Sequence, residues 1–134
     1  MQQQPRIRVV TAEIEQKGAF LITQRRAEAA LPLLWEFPGG RVHEGESDTD
    51  ALKRCLQDRL GVGTVISHKV LEVSQEYSSY RLDMIVYRCG LTGEPQPVRV
   101  KDIAWVHPGE FDLYEFPKAD QQTIELLLGE GRDG

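Results

Sequence analysis

Hydrophobic and polar positions along the chain mark out two helices and a larger number of strands. From Arg6 to Ile14 the β-rich run RIRVVTAEI is followed by Gln16-Lys17-Gly18 and then by AFLIT. The glycine takes positive φ without steric cost, so the segment predicts a hairpin. In AEAALPLL the proline argues against a long helix. Trp35-Glu36-Phe37 then runs into Pro38-Gly39-Gly40, which predicts a short strand ending in a tight loop. Ser47 is a candidate N-cap with Asp50 three residues on, and Asp48 and Asp50 suit the positive end of a helix dipole. A helix is therefore expected from about Asp48 to Leu60, with Gly61 supplying the left-handed residue that ends it. At 100° per residue Leu52, Leu56 and Leu60 form one stripe, and Cys55, Asp58 and Arg59 share a neighbouring arc that points elsewhere. TVISHKVLEVSQEY and RLDMIVYRC read as two strands joined near Ser78-Ser79, followed by a Gly/Pro-rich loop, the strand DIAWV and a second helix over roughly Ala119 to Leu128. Strands outnumber helices and the helices are far apart in sequence, which favours an α+β fold with a mixed sheet covered by helices.

Composition narrows the function classes. With 134 residues, 40% of them hydrophobic and 28% charged, the chain fits one domain over residues 1–134. Such a domain buries roughly two-thirds of its unfolded surface and folds without disulfide or metal staples. The net charge of −5 argues against a protein that grips polymeric nucleic acid by a basic face. A small anionic ligand remains compatible, because a basic pocket can sit on an acidic protein. Residues 1–26 carry +3 and residues 109–134 carry −5, so the charge is unevenly spread. Cys55 and Cys89 are too few for a disulfide framework and form no CxxC pair. The N-terminal MQQQPRIRVV has no apolar h-region, and no run approaches about 18 apolar residues. The expectation is a cytoplasmic chain with neither signal peptide nor membrane span, working as a monomer or homodimer.

The stretch GRVHEGESDTDALKRCLQDRLGV, residues 40–62, carries the chemistry. It resembles the Nudix box, G-x5-E-x7-R-E-U-x-E-E-x-G-U with U a bulky aliphatic residue, through Gly40, Glu46, Arg54, Leu56, Gly61 and Val62 at the matching spacing. The preceding WEFPGG, QRR at 24–26, AWV at 104–106 and YEFPKAD at 114–120 are similar to segments of MutT and its cytidine-preferring relatives. The resemblance implies a mixed β-sheet sandwiched between helices (α/β/α). It also implies Mg²⁺- or Mn²⁺-dependent attack of water on a nucleoside di- or triphosphate, releasing pyrophosphate or phosphate.

The departures are concentrated where that family binds metal. Three box glutamates, a backbone carbonyl before the box and a later acidic residue hold the divalent ions there. In this chain the three box positions are Cys55, Asp58 and Arg59, and alignment on Trp105 puts Arg99 at the later one. With a neutral thiol, one carboxylate and two guanidiniums, these four positions sum to +1 where the family pattern sums to −4. Hard cations want several oxygen ligands, and thiol is a poor substitute. An arginine about 4 Å from a divalent ion is repelled by roughly 8 kcal/mol, an upper bound, at an effective dielectric of 20. A guanidinium can instead pair directly with phosphate oxygens, so Arg59 and Arg99 are candidates for a metal-poor phosphate cradle.

The remaining candidates each have two roles. Glu46 and Arg54 keep their family identities, in which they resemble a brace between loop and helix; Glu46 is also a candidate catalytic carboxylate. Asp58 is a candidate base or lone metal ligand, with the carbonyl of Gly39 as a second ligand, or else a solvated helix residue. Cys55 is read as a semi-buried filler rather than a nucleophile, since no partner can be set beside it. Arg25 resembles the family's phosphate-contacting arginine, with Arg26 beside it, or is an exposed strand end. Asp120 matches the position where MutT has a base-reading asparagine and cytidine-preferring relatives have aspartate. An ionised carboxylate there would accept from an exocyclic amino group, and a helix N-cap is its alternative role. Phe37, Trp35 and Tyr80 are candidates to stack on a base, with core packing the ordinary place for the first two. Arg81 is a rim candidate. His43, His68 and His107 show no metal-ligand spacing.

Three readings compete. One is an active pyrophosphohydrolase using Asp58, Glu46 and the Gly39 carbonyl around a reduced, non-standard metal site. The second is a Nudix domain that recognises a nucleoside di- or triphosphate, 8-oxo-dGTP or a cytidine nucleotide, with hydrolysis impaired or lost. The third is an interaction domain, marked by an exposed apolar patch in the cleft. The substituted metal positions favour the second, since losing transition-state charge stabilisation typically costs orders of magnitude in rate.

Overall fold

The computed structural model describes residues 5–133, with side-chain environments through residue 129. Among the described residues seven strands and two helices follow one another as β1 (Arg6–Gln16), β2 (Ala19–Gln24), β3 (Trp35–Glu36), β4 (Gly39–Arg41), α1 (Asp48–Leu60), β5 (Thr64–Glu76), β6 (Arg81–Leu91), β7 (Asp102–Val106) and α2 (Gln121–Asp133). Short 3-10 turns at Pro108–Leu113 and Lys118–Asp120 precede α2. The strands form one mixed sheet along the path β3-β2-β1-β6-β5, with β4 on β1 and β7 on β2. The β1/β2 and β5/β6 pairs are antiparallel, whereas β1 and β6 run parallel from Arg6 opposite Arg81 to Ile14 opposite Cys89.

Alternation along β1 decides what each face covers. Val10, Ala12 and Ile14 point to the α1 side and bury against Leu52, Cys55, Leu56 and Leu60. The leucine stripe is the core stripe, and each such side chain contributes roughly 1.5–3 kcal/mol by leaving water. Cys55 joins it at 2% exposure, so burial rather than the cleft is where this residue of the polar arc goes. On the opposite side, Phe20, Ile22, Phe37 and Val106 pack under Phe111, Ile124 and Leu127 of the 3-10 turn and α2. The sheet is thus sandwiched between helices, as the resemblance implied.

Helix α1 keeps its expected bounds: Ser47 accepts from the Asp50 amide, and Gly61 is left-handed at φ 64°. Two expectations need correction. Pro38-Gly39-Gly40 is not a plain tight loop, because Gly39–Arg41 forms a strand with Thr11, Val10 and Val9 opposite Gly39, Gly40 and Arg41. A Cβ on Gly39 would stand 1.9 Å from the Val10 carbonyl oxygen, so the glycine is there for close backbone approach. The second helix begins two residues later than expected, after its 3-10 turn, and runs on to Asp133.

Candidate functional site

Three of the four residues that departed from the family pattern, Asp58, Arg59 and Arg99, converge on one cleft of about 260 Å³. It is lined by Thr23, Arg25, Arg26, Ala29 and Glu36 on one side and Asp58, Arg59, Arg99 and Val100 on the other. Four guanidiniums face two carboxylates, a side-chain charge of +2 in a chain of net −5. The loop after β6 creates half of it. The amides of Gln96, Val98 and Arg99 donate to the carbonyls of Leu60, Arg59 and Arg59 at 2.9–3.0 Å. These are carbonyls that a helix end leaves without intrahelical partners, and satisfying them brings Arg99 beside Asp58, with Nε 3.4 Å from Oδ1. Arg59 reaches back to the strand before the box, where its Nη1 donates to the Gly39 carbonyl. Gly40 makes room: a Cβ there would lie 3.0 Å from Arg59 Nη2 and 2.6 Å from Cys55 Sγ.

Arg25 forms the wall between this cleft and a second cavity. Its Nε donates to the Ala30 carbonyl at 2.6 Å and its Nη1 to both Glu36 carboxylate oxygens at 3.0 Å. The second cavity, about 380 Å³, shares Arg25 and Glu36 with the first and is otherwise mainly apolar, with Val9, Leu82, Met84, Tyr77 and Tyr80 among its walls. The two tyrosine rings stack at 4.9 Å and 19° across the β5/β6 turn. Asp120 lines the chamber at 4% exposure, and its Oδ1 has no hydrogen-bond partner among the described residues. Burial pushes this carboxyl well above the usual range, with Glu36 adding to the shift and Arg25 opposing it. The ionised acceptor expected at Asp120 is corrected. Burial favours the neutral form, which both donates and accepts. Leu31, also on the chamber wall, and Leu33 lie in the connection between β2 and β3 with φ of 50° and 63°.

The divalent ion implied by the resemblance would need Gly39, Asp58 and their neighbours as ligands. The Gly39 carbonyl already accepts from Arg59, and Asp58 faces Arg99. Burial raises the Cys55 thiol above its ordinary value, which keeps it protonated. Among the described residues no three His, Cys, Asp or Glu side chains are grouped to hold a metal. These donors do not fit a hard cation.

Glu46 sits in the brace. Arg54 donates to both its oxygens at 2.8–2.9 Å, and the His43 amide adds a third bond. Those bonds hold its carboxyl down at about 2. Arg54 also donates to the Arg41 carbonyl, tying helix to strand. Glu46 does not line the arginine cleft.

Other expectations divide. Tyr80 is on the chamber wall, joined by Tyr77, which sequence reasoning missed. Phe37 is corrected as a base-stacking residue: it is 1% exposed and packs on Phe111 and Phe116 in the core. Trp35 packs edge-on against Tyr114. Arg81 lies between Glu76 and Asp83, at 4.0 and 3.8 Å, and lines neither cavity. Glu36 was also missed; only its pairing with Thr23 on β2 reveals it facing Arg25. The arginine cleft is charged, while the apolar surface near it belongs to the second chamber. No described helix is long and apolar enough to cross a membrane.

Comparison with known proteins gives this geometry a setting. Residues 9–126 match the NUDIX domain. The chain is 31% identical over 123 residues to the CTP pyrophosphohydrolase of Escherichia coli K12, covering 91% of each. It is 30% identical to the 8-oxo-dGTP diphosphatase of Haemophilus influenzae, covering 84% of each. The solution structure of the E. coli ORF135 protein superposes with a TM-score of 0.82 at 30% identity, over 94% of this chain and 91% of that one.

Proposed function

The chain belongs to the NUDIX domain family, in its MutT-like branch, and from that premise we propose that it recognises a nucleoside di- or triphosphate while its metal-dependent hydrolysis is impaired. The observation that carries the proposal is the shared wall of Arg25 and Glu36, which joins a cleft of four arginines to an apolar chamber holding a buried carboxyl. A nucleotide has the same two-part chemistry: a polyanion for guanidinium forks and a flat, partly polar base. The base lies in the chamber, against the tyrosine pair, with its polar edge on Asp120. The names of the relatives point to cytidine and 8-oxoguanine nucleotides as the first ligands to try. Both cysteines are free and buried, compatible with a reducing cytoplasm as the setting.

Hydrolysis by the family's route needs divalent charge beside the scissile phosphate. The residues that would hold it are engaged with arginines, and removing such stabilisation lowers rate by orders of magnitude while leaving ground-state binding. Arg59 and Arg99 supply positive charge to the phosphates but no activated water.

The test is a titration of CTP, dCTP and 8-oxo-dGTP binding, alongside turnover of each with Mg²⁺ or Mn²⁺. Saturable binding with little or no turnover is expected. Metal-dependent turnover that disappears in Asp58→Ala would establish the alternative, an active enzyme with a non-standard metal site. Absence of binding to all three would overturn nucleotide recognition.

A further inference from the structure

The position of the Arg59 guanidinium carries a consequence for the form in which a ligand enters. Its Nη1 donates to the Gly39 carbonyl, its Nη2 and Cζ occupy the space a Cβ on Gly40 would need, and Arg99, in the loop between β6 and β7, has its Nε 3.4 Å from Asp58 Oδ1. The carboxylates that line the cleft are each opposite a guanidinium, Glu36 against Arg25 and Asp58 against Arg99, and Arg26 pairs with Glu28 just beyond the lining at 2.5 Å, so Arg59 is the lining guanidinium that faces no carboxylate among the described residues. A cleft of carboxylates must recruit a cation before a polyphosphate can approach. This cleft already has the positive sign.

We infer that the ligand form this cleft takes is the uncomplexed polyphosphate, with Arg59 standing where a cation would, and that Mg²⁺ acts as an antagonist of binding. The inference rests on the nucleotide reading and specifies its chemistry further. Guanidinium N–H groups bond the non-bridging phosphate oxygens, the same oxygens that Mg²⁺ chelates. Chelation removes two units of negative charge from the ligand and brings a divalent cation against Arg59 and Arg99, so both partners lose by it. The built feature is the pairing of Gly40 with Arg59: the missing side chain at one position is what lets the guanidinium of the other lie on the β4 backbone.

The test is calorimetric titration of the wild-type chain with inorganic tripolyphosphate and with CTP, each in EDTA and in excess Mg²⁺. Both ligands are expected to bind in EDTA and to weaken about tenfold or more in Mg²⁺. Replacing Arg59 and Arg99 together with alanine is expected to weaken binding in EDTA by about a hundredfold, each charge-assisted hydrogen bond contributing at least about tenfold. Arg59→Gln, which keeps most of the side chain's bulk, serves as the second variant, and thermal melting establishes that each is folded. Binding that requires Mg²⁺ would overturn the inference while leaving nucleotide recognition standing. Full affinity in the folded arginine variants would overturn the assignment of the cleft. No binding of either ligand in either buffer would sink both readings together.

Discussion

Replacing Asp120 with asparagine removes a titrating group from the chamber while keeping the side chain's shape. In the wild-type chain this carboxyl is 4% exposed, Oδ1 is without a partner among the described residues, and burial pushes it well above the usual carboxylate range. Below about pH 4 both folded and unfolded states hold the proton, and the group contributes no pH dependence. Above that, the unfolded chain releases the proton while the folded chain keeps it, so stability falls as pH rises. The slope reaches about 1.4 kcal/mol per pH unit and ends where the folded carboxyl ionises as well. Asparagine has no such slope. The unfolding free energy of Asp120→Asn minus that of the wild type should therefore grow with pH once the pH passes the unfolded value of about 3.9. Urea unfolding at fixed ionic strength measures it, and an unchanged m value establishes that the same surface is being exposed. Glu36 and Arg25 face the same carboxyl, so the measurement is repeated in a Glu36→Gln background to separate their part. A difference that stays flat above that value would refute the claim that Asp120 is buried without compensation.

The two adjacent glycines should behave differently. Gly39→Ala directs a Cβ into the Val10 carbonyl oxygen, which only a backbone shift of β4 away from β1 can relieve, and should cost about 3 kcal/mol or more in urea unfolding. Gly40→Ala meets Cys55 Sγ and the movable end of Arg59, and should reduce phosphate affinity proportionately more than stability; equal stability losses would contradict this. Glu46→Gln removes the carboxylate that Arg54 and the His43 amide hold at about 2. The stability it supplies is complete above the unfolded value of about 4.3 and disappears as pH falls through the folded one. The gap in melting temperature between wild type and Glu46→Gln should thus be constant at neutral pH and close toward pH 2; a gap unchanged in acid would place its origin outside the ion pair.

Much of the framework was written locally. Ser47, the leucines four apart and Gly61 define α1 because capping and helical periodicity operate within a few residues. The box spacing pointed to the family, and the substitution of Arg59 and Arg99 foretold a basic cleft. Pairing was harder to read. Gly39-Gly40 looks like a breaker by local preference and becomes a strand only because β1 lies alongside, close enough to exclude a side chain.

Read along the chain alone, the residues supply an inventory: the helix ends, the alternating strands, and arginines where the family resemblance implies metal-binding carboxylates. Their partners were settled by folding. It docked the 96–99 loop on the end of α1 so that Arg99 faces Asp58, laid Arg59 on the Gly39 carbonyl, set Glu36 against Arg25 and closed the chamber over Asp120. The reason is physical: capping and periodicity are set by neighbours in sequence, whereas ion pairing and desolvation depend on distances and burial that exist only once the chain has folded.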